Sequence, residues 1–204
     1  MKLLDLVIAT SNPGKLKEIK AKFSRAKLNI NLYSADEFIN TKEFDIPETG
    51  LTFVENAIIK ARALAKISKL PALADDSGLV VEALGGKPGI YSARYAGLKA
   101  EDNQNLEKLL FEMREIPETF RNAYTYSSLA LLLHEDDPAP LLTFGKMPCE
   151  ILTHPRGHHG FGYDPVLYIP TLKLSLAEMP LELKNEISHR ALALDRMIEK
   201  ILKK

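Results

Sequence analysis

The sequence predicts an α/β protein on a long mixed β-sheet flanked by helices. Apolar, β-prone runs alternate with helical periodicities through the first half of the chain. The second half reads instead as hairpins, which adds antiparallel pairing to the sheet. Polar residues gather where these runs end, at Thr10–Lys15, Asp75–Ser77, Phe161–Asp164 and Lys184–Arg190. Ligands of open α/β sheets bind at strand ends, so this distribution points to one site drawn from all four stretches. With 204 residues, 46% of them hydrophobic, the chain can bury a full core as one domain or as two lobes sharing a sheet.

Leu3 to Ala9 is apolar and β-rich and runs straight into turn chemistry, so it reads as a buried strand. Leu16, Ile19 and Phe23 then recur at helical spacing. Ser11 or Asn12 can cap that helix, with Pro13 at the first position, where a missing N–H costs nothing. A polar loop at a helix N-terminus presents unpaired donors and the positive end of the dipole. Thr10, Ser11, Asn12, Pro13, Gly14 and Lys15 are therefore a candidate phosphate cradle, although strand, cap and helix in series is also everyday architecture. The GxxxxGK[ST] spacing of a Walker loop is absent.

Asn29 to Ser34 reads as a second strand, followed by an acidic connection from Ala35 to Thr49 that includes Glu48. Thr52 to Glu55 matches a capping box and opens a helix to about Leu70. Val54, Ile58, Ala61 and Ala65 trace one side of it, and Asn56, Lys60 and Ala63 another. The ordinary fate of such a lysine is a solvated surface position.

Pro71 to Ala74 is a short apolar run ending in two carboxylates, Asp75 and Asp76; Ser77 and Gly78 then lead into a second β-prone run, Leu79 to Ala83. Adjacent acids repel unless something cationic sits beside them, and a hard divalent metal is one answer. A plain Asp-Asp-Ser-Gly turn is the other.

Glu101 to Met113 is an amphipathic helix, Arg121 to Leu133 a β-prone segment, and His134 to Pro140 a polar turn. Leu141 to Lys146 reads as the returning strand, Cys149 to Thr153 as another, and Val166 to Ile169 as a third after the loop His154 to Asp164. Pro180 to Ile187 forms a short helix, and Ser188 caps a final one with Leu192, Ile198, Ile201 and Leu202 inward.

Lysine plus arginine equals aspartate plus glutamate at 27 each, so no net charge draws a nucleic-acid polymer. A small phosphorylated ligand needs only a local patch, and Lys15, Lys60, Lys184 and Arg190 supply one. Glu48, Asp75 and Asp76 would suit a metal bridging that ligand to the protein. The single cysteine, Cys149, excludes an internal disulfide framework and fits a reducing compartment. No segment approaches the length of a membrane helix, and the N-terminus lacks a small-residue cleavage pattern. The expectation is a soluble cytoplasmic protein. Cys149, His154, His158 and His159 lie close together but match no standard zinc spacing, and no GxSxG elbow marks a nucleophile.

Five stretches jointly resemble the inosine triphosphate pyrophosphatase family, which removes noncanonical purine nucleotides. They are TSNPGK, FVENAIIKA, ADDSGLVVEALGGKPGIYSARYAG, GFGYDP and KNEISHRALAL, in that order, and the resemblance runs from about Leu3 to Ile201. It implies one domain over residues 1–204 with two lobes and an active-site cleft between them, and a homodimer. It also implies Mg²⁺-dependent hydrolysis of ITP, dITP and XTP to the monophosphate and pyrophosphate. Thr10 to Lys15 then match the substrate-phosphate loop, and Lys60 a second phosphate contact. Glu48 and Asp76 match metal-binding carboxylates, Asp76 also the general base, and Ser77 a substrate contact. Phe161, Gly162, Tyr163, Asp164, Lys184, His189 and Arg190 resemble the nucleoside-recognition set. A donor from His189 or Arg190 would meet the 6-oxo group of hypoxanthine or xanthine, and Phe161 would stack on the purine. His158, His159 and Cys149 stand where the family commonly has small residues. The alternatives are a pyrophosphatase for other modified nucleotides and a nucleotide-binding module without catalysis.

Overall fold

The computed structural model describes residues 4–26, 28–39 and 46–203. Leu3, the expected start of the opening strand, and residues 40–45 of the acidic connection lie outside the described residues. Among those described, the strands are β1 (Leu4–Ala9), β2 (Ile30–Ser34), β3 (Ala72–Val81), β4 (Asn122–Leu132), β5 (Leu141–Ile151), β6 (Leu167–Ile169) and β7 (Leu174–Ser175). The helices are α1 (Pro13–Arg25), α2 (Phe53–Ser68), α3 (Asp102–Met113), α4 (Leu181–Ile187) and α5 (His189–Leu202). The strands form one mixed seven-stranded sheet in the order β2-β1-β3-β4-β5-β6-β7. β1 pairs parallel with β2 and with β3, whereas β6 pairs antiparallel with β5 and with β7.

The chain divides into two compact units. The first holds residues 1–76, 127–145 and 190–204; the second holds 77–126 and 146–189. In the first unit the two-residue period of the strands sorts the core onto two faces. Leu6, Ile8, Leu73, Leu129 and Leu131 pack against Ile19 and Phe23 of α1 and Ala193, Leu194 and Met197 of α5. Val7, Ala9, Ala72, Ala74, Ala130 and Leu132 pack against Ala57, Ala61, Leu64 and Ala65 of α2. Small residues dominate this second face. In the second unit Leu79, Val81, Ala123, Met147, Cys149, Ile151, Leu167 and Ile169 pack against Leu106, Leu109 and Met113 of α3. Cys149 is buried there, and burial pushes its thiol up to about 12.

Three local expectations are corrected. Asp75-Asp76-Ser77-Gly78 is no turn: all four residues lie within the unbroken strand β3. Leu141 to Ile151 is likewise one strand, where Leu141 to Lys146 and Cys149 to Thr153 read as two; its residues alternate between buried and exposed along most of its length. Leu202 is exposed rather than inward, and buried Met197 takes that place in α5.

Candidate active site

The site begins with the two aspartates of β3. Successive side chains on a strand point to opposite faces, so a pair that looks self-repelling in sequence is separated by the sheet itself. Asp75 falls in step with Leu73, on the face covered by α1 and α5. Asp76 falls in step with Ala74, on the face covered by α2.

Asp75 is buried, and Lys15, Arg190 and Ser127 all reach its carboxylate. Lys15 Nζ lies 2.9 Å and Arg190 Nε 3.1 Å from Oδ2, and Ser127 Oγ donates to Oδ1 at 2.6 Å. Burial alone would raise this carboxyl, but Arg190, Lys15 and the Ser127 hydroxyl together hold it well below the usual carboxylate range. Arg190 is itself buried, and its Nη1 donates to Glu18 of α1. Burial works against the guanidinium charge, and the two carboxylates outweigh it.

Asp76 Oδ1 accepts from Lys60 Nζ at 2.6 Å, and the same ammonium reaches Glu48 Oε1 at 3.0 Å. Asp76 Oδ2 is buried and has no hydrogen-bond partner. Burial raises the Asp76 pKa, with Lys60 opposing and Glu48 reinforcing the rise. For Lys60, burial is outweighed by Asp76 and Glu48, and its pKa goes up. Neighbouring carboxylates are thus driven in opposite directions by their surroundings.

Local structure explains how each group is held. Asn12 caps α1 by accepting from the Lys15 N–H at 3.0 Å, Thr10 Oγ1 accepts from the Asn12 N–H at 3.2 Å, and Pro13 occupies the first turn. This fixes the loop that delivers Lys15. Glu48 is delivered by a second clamp: Asn56 Oδ1 accepts from the Gly50 N–H at 2.8 Å, and Glu55 Oε2 accepts from the N–H groups of Leu51 and Thr52. A Cβ on Gly50 would lie 2.6 Å from Glu55 Cβ, so only glycine fits this close approach. Asn56 and Lys60 are one turn apart on the same face of α2.

A second cluster forms within the other unit. Lys184 Nζ lies 2.7 Å from Asp164 Oδ2 and 4.5 Å from the centre of the Phe161 ring. The same Oδ2 accepts from the Phe161 N–H at 2.9 Å. A Cβ on Gly160 would come within 2.0 Å of it, and Gly160 has φ +84°, so glycine is required twice over. The Gly162 N–H donates to Asp102, and the Tyr163 hydroxyl donates to the Ser92 carbonyl. His189 is half-buried at the start of α5, and Ser77 half-buried in β3.

The structure therefore brings together Lys15, Lys60, Glu48 and Asp76 with Asp75 in the first unit, and Phe161–Asp164 with Lys184 in the second. Arg190, which the resemblance places with the nucleoside-recognition residues, has its guanidinium on the buried acids Glu18 and Asp75. Sequence reading missed Glu18, Ser127 and the clamp made by Asn56. The one signal for Glu18 was an acid beside Ile19 on the apolar side of α1. Among the described residues no group of three or more His, Cys, Asp or Glu side chains could hold a metal ion, and no helix is long and apolar enough to cross a membrane.

The Ham1 family model matches residues 6–200. A dITP/XTP pyrophosphatase of Xanthomonas campestris pv. campestris (strain 8004) is 50% identical over 196 residues, covering 96% of each chain. A dITP/XTP pyrophosphatase of Legionella pneumophila (strain Lens) is 46% identical over 95% of this chain and 96% of its own. Among solved structures, a HAM1 protein from Coxiella burnetii aligns with a TM-score of 0.89 at 43% identity, over 98% of this chain and 100% of that one.

Proposed function

We propose that this chain, which belongs to the Ham1 family, hydrolyses noncanonical purine nucleoside triphosphates (ITP, dITP and XTP) to the monophosphate and pyrophosphate. Its dITP/XTP pyrophosphatase relatives support the reaction class. The observation that carries the mechanism is the placement of the β3 aspartates: Asp75 is held by Lys15, Arg190 and Ser127, whereas Asp76 meets Lys60 through Oδ1 and leaves Oδ2 buried without a hydrogen-bond partner.

The donor set fits Mg²⁺. Asp76 Oδ2 is a buried oxygen without a hydrogen-bond partner, and Glu48 shares the Lys60 ammonium with Asp76. Two carboxylates are the protein share such an ion ordinarily takes, with substrate phosphates and water completing its shell. Glu48 and Asp76 would hold it; bound, it supplies neutralisation of triphosphate charge. Asp76 accepts the proton of the attacking water, through the buried oxygen that no protein donor occupies. Lys15 and Lys60, with the N-terminus of α1 and the Thr10–Gly14 loop, bind phosphate oxygens and stabilise the charge that develops there. Ser77 adds a contact to the substrate.

The nucleobase falls to Phe161, Gly162, Tyr163, Asp164, Lys184 and His189. The Phe161 ring stacks on the purine, and Lys184 or His189 donates to its 6-oxo group. Adenine presents a 6-amino donor instead. Donor against donor costs about 1–3 kcal/mol, a preference of roughly ten- to hundredfold per contact. Arg190 serves the phosphate side by fixing Asp75. We further place the protein in the cytoplasm, where its substrates form, as a homodimer.

Incubation with a panel of nucleoside triphosphates and Mg²⁺, with products identified, tests the reaction. IMP with pyrophosphate from ITP is expected, with ATP spared. IDP with orthophosphate, or no product from any triphosphate, would overturn it. Sedimentation equilibrium on the same sample reads the oligomeric state, and a monomer would remove the homodimer.

A further inference from the structure

We propose that Glu18 is a positioning residue for phosphate binding, balancing the Arg190 guanidinium so that Asp75 can hold the Lys15 ammonium in place. The proposal rests on the phosphate role given to Lys15 above.

Glu18 sits on α1 one turn beyond Lys15, its side chain 6% exposed. Buried glutamates need a partner, and this one has Arg190. The guanidinium turns its Nε to Asp75 Oδ2 at 3.1 Å, and Lys15 Nζ meets that same oxygen at 2.9 Å. Glu18, Arg190, Asp75 and Lys15 thus form a run of alternating charge that sums to zero. Its decisive atom is Asp75 Oδ2, shared by two cations. The more strongly Arg190 leans on that oxygen, the less of it remains for Lys15. Glu18 takes part of the guanidinium's charge and limits that lean.

The groups acting on Lys15 come from several elements. Burial already disfavours its charge, Arg190 of α5 and Lys60 of α2 push the same way, and Asp75 of β3 opposes them. Neutralising Glu18 strips Arg190 of one counter-charge and leaves its positive field facing Lys15. The Lys15 ammonium then gives up its proton at lower pH, and with it the grip on phosphate. A glutamate that merely packs would have no such reach.

The test uses the full chain carrying Glu18→Gln, which keeps the shape and removes the charge. NMR titration of isotope-labelled lysine, with the Lys15 resonance assigned through Lys15→Arg, is expected to show Lys15 deprotonating about one pH unit lower than in the parent. The KM for ITP is expected to rise about tenfold with kcat within about threefold, and the alkaline limb of kcat/KM to move to lower pH. In a Lys15→Ala background the same substitution should leave KM unchanged, because the group it acts through is gone. An unmoved Lys15 titration, or fully additive losses in the double variant, would overturn the proposal. If Glu18→Gln does not fold, Glu18→Asp decides: a folded protein retaining the parent's Lys15 titration supports the charge role, and one with the titration shifted as far as complete neutralisation predicts refutes it. A parent without triphosphate turnover but with a Glu18-dependent Lys15 titration would sink the functional reading alone.

Discussion

Asp75 and Asp76 are adjacent in sequence and opposite in behaviour, because a strand sends neighbouring side chains to different faces. Asp76→Asn is expected to lower kcat by roughly 10²–10⁴-fold, the usual worth of a general base, while nucleotide binding and the melting temperature stay near those of the parent. Retained turnover in a folded Asp76→Asn protein would take Asp76 out of the chemistry. Asp75→Asn should do something different: it strands the Lys15 ammonium without its counter-charge and leaves Arg190 with Glu18, a loss of about 3–5 kcal/mol of stability. The sign with pH follows from the depressed pKa of Asp75. A carboxylate that is harder to protonate when folded contributes fully above its unfolded value and loses that contribution as pH falls through the folded one. Denaturant unfolding should therefore show a wide gap between Asp75→Asn and its parent at pH 7, narrowing below about pH 4. The acidic pair itself was legible in the sequence. Its partners were not, since Glu18 and Arg190 meet across a separation of 172 residues.

At the scale of elements, the helices and their caps were read closely. Thr52 with Glu55 caps α2, Asn12 caps α1, and Pro180 precedes α4 as the local chemistry requires. The errors fell where local preference and tertiary pairing disagree. Ser77 and Gly78 carry turn propensity, yet β3 runs through them between β1 and β4, and packing on a pleated surface outweighs intrinsic preference in strands. The clamp before α2 makes a prediction of its own. Gly50→Ala drives a methyl into Glu55 and the Asn56 amide, so the segment bearing Glu48 must shift. The Mg²⁺ concentration needed for half-maximal turnover should rise about tenfold, the usual effect of disturbing groups that hold a ligand. An unchanged requirement would show that Glu48 is not held by this clamp, or does not serve the ion.

For the molecule as a whole, the mixed α/β sheet was legible because alternating and helical periodicities are local properties. The boundaries between the two units were not, because they leave no linker signature. They fall inside β3, β4 and β5, at Asp76/Ser77, Tyr126/Ser127 and Gly145/Lys146, and again at His189/Arg190. Each unit is therefore assembled from separate pieces of chain, and no single contiguous excision would yield either. The lone cysteine offers a way to watch one of them. Cys149 lies in the core of the second unit, out of contact with water and with its thiol held protonated up to about pH 12. Aromatic disulfide reagents attack thiolates, so native protein should be modified only through excursions that uncover this residue. The labelling rate then becomes a stopwatch for opening of that core, readable without substrate or turnover. Added ITP should slow it if the nucleobase residues of the same unit are engaged, whereas an unaltered rate would mean that nucleotide binding leaves this opening untouched.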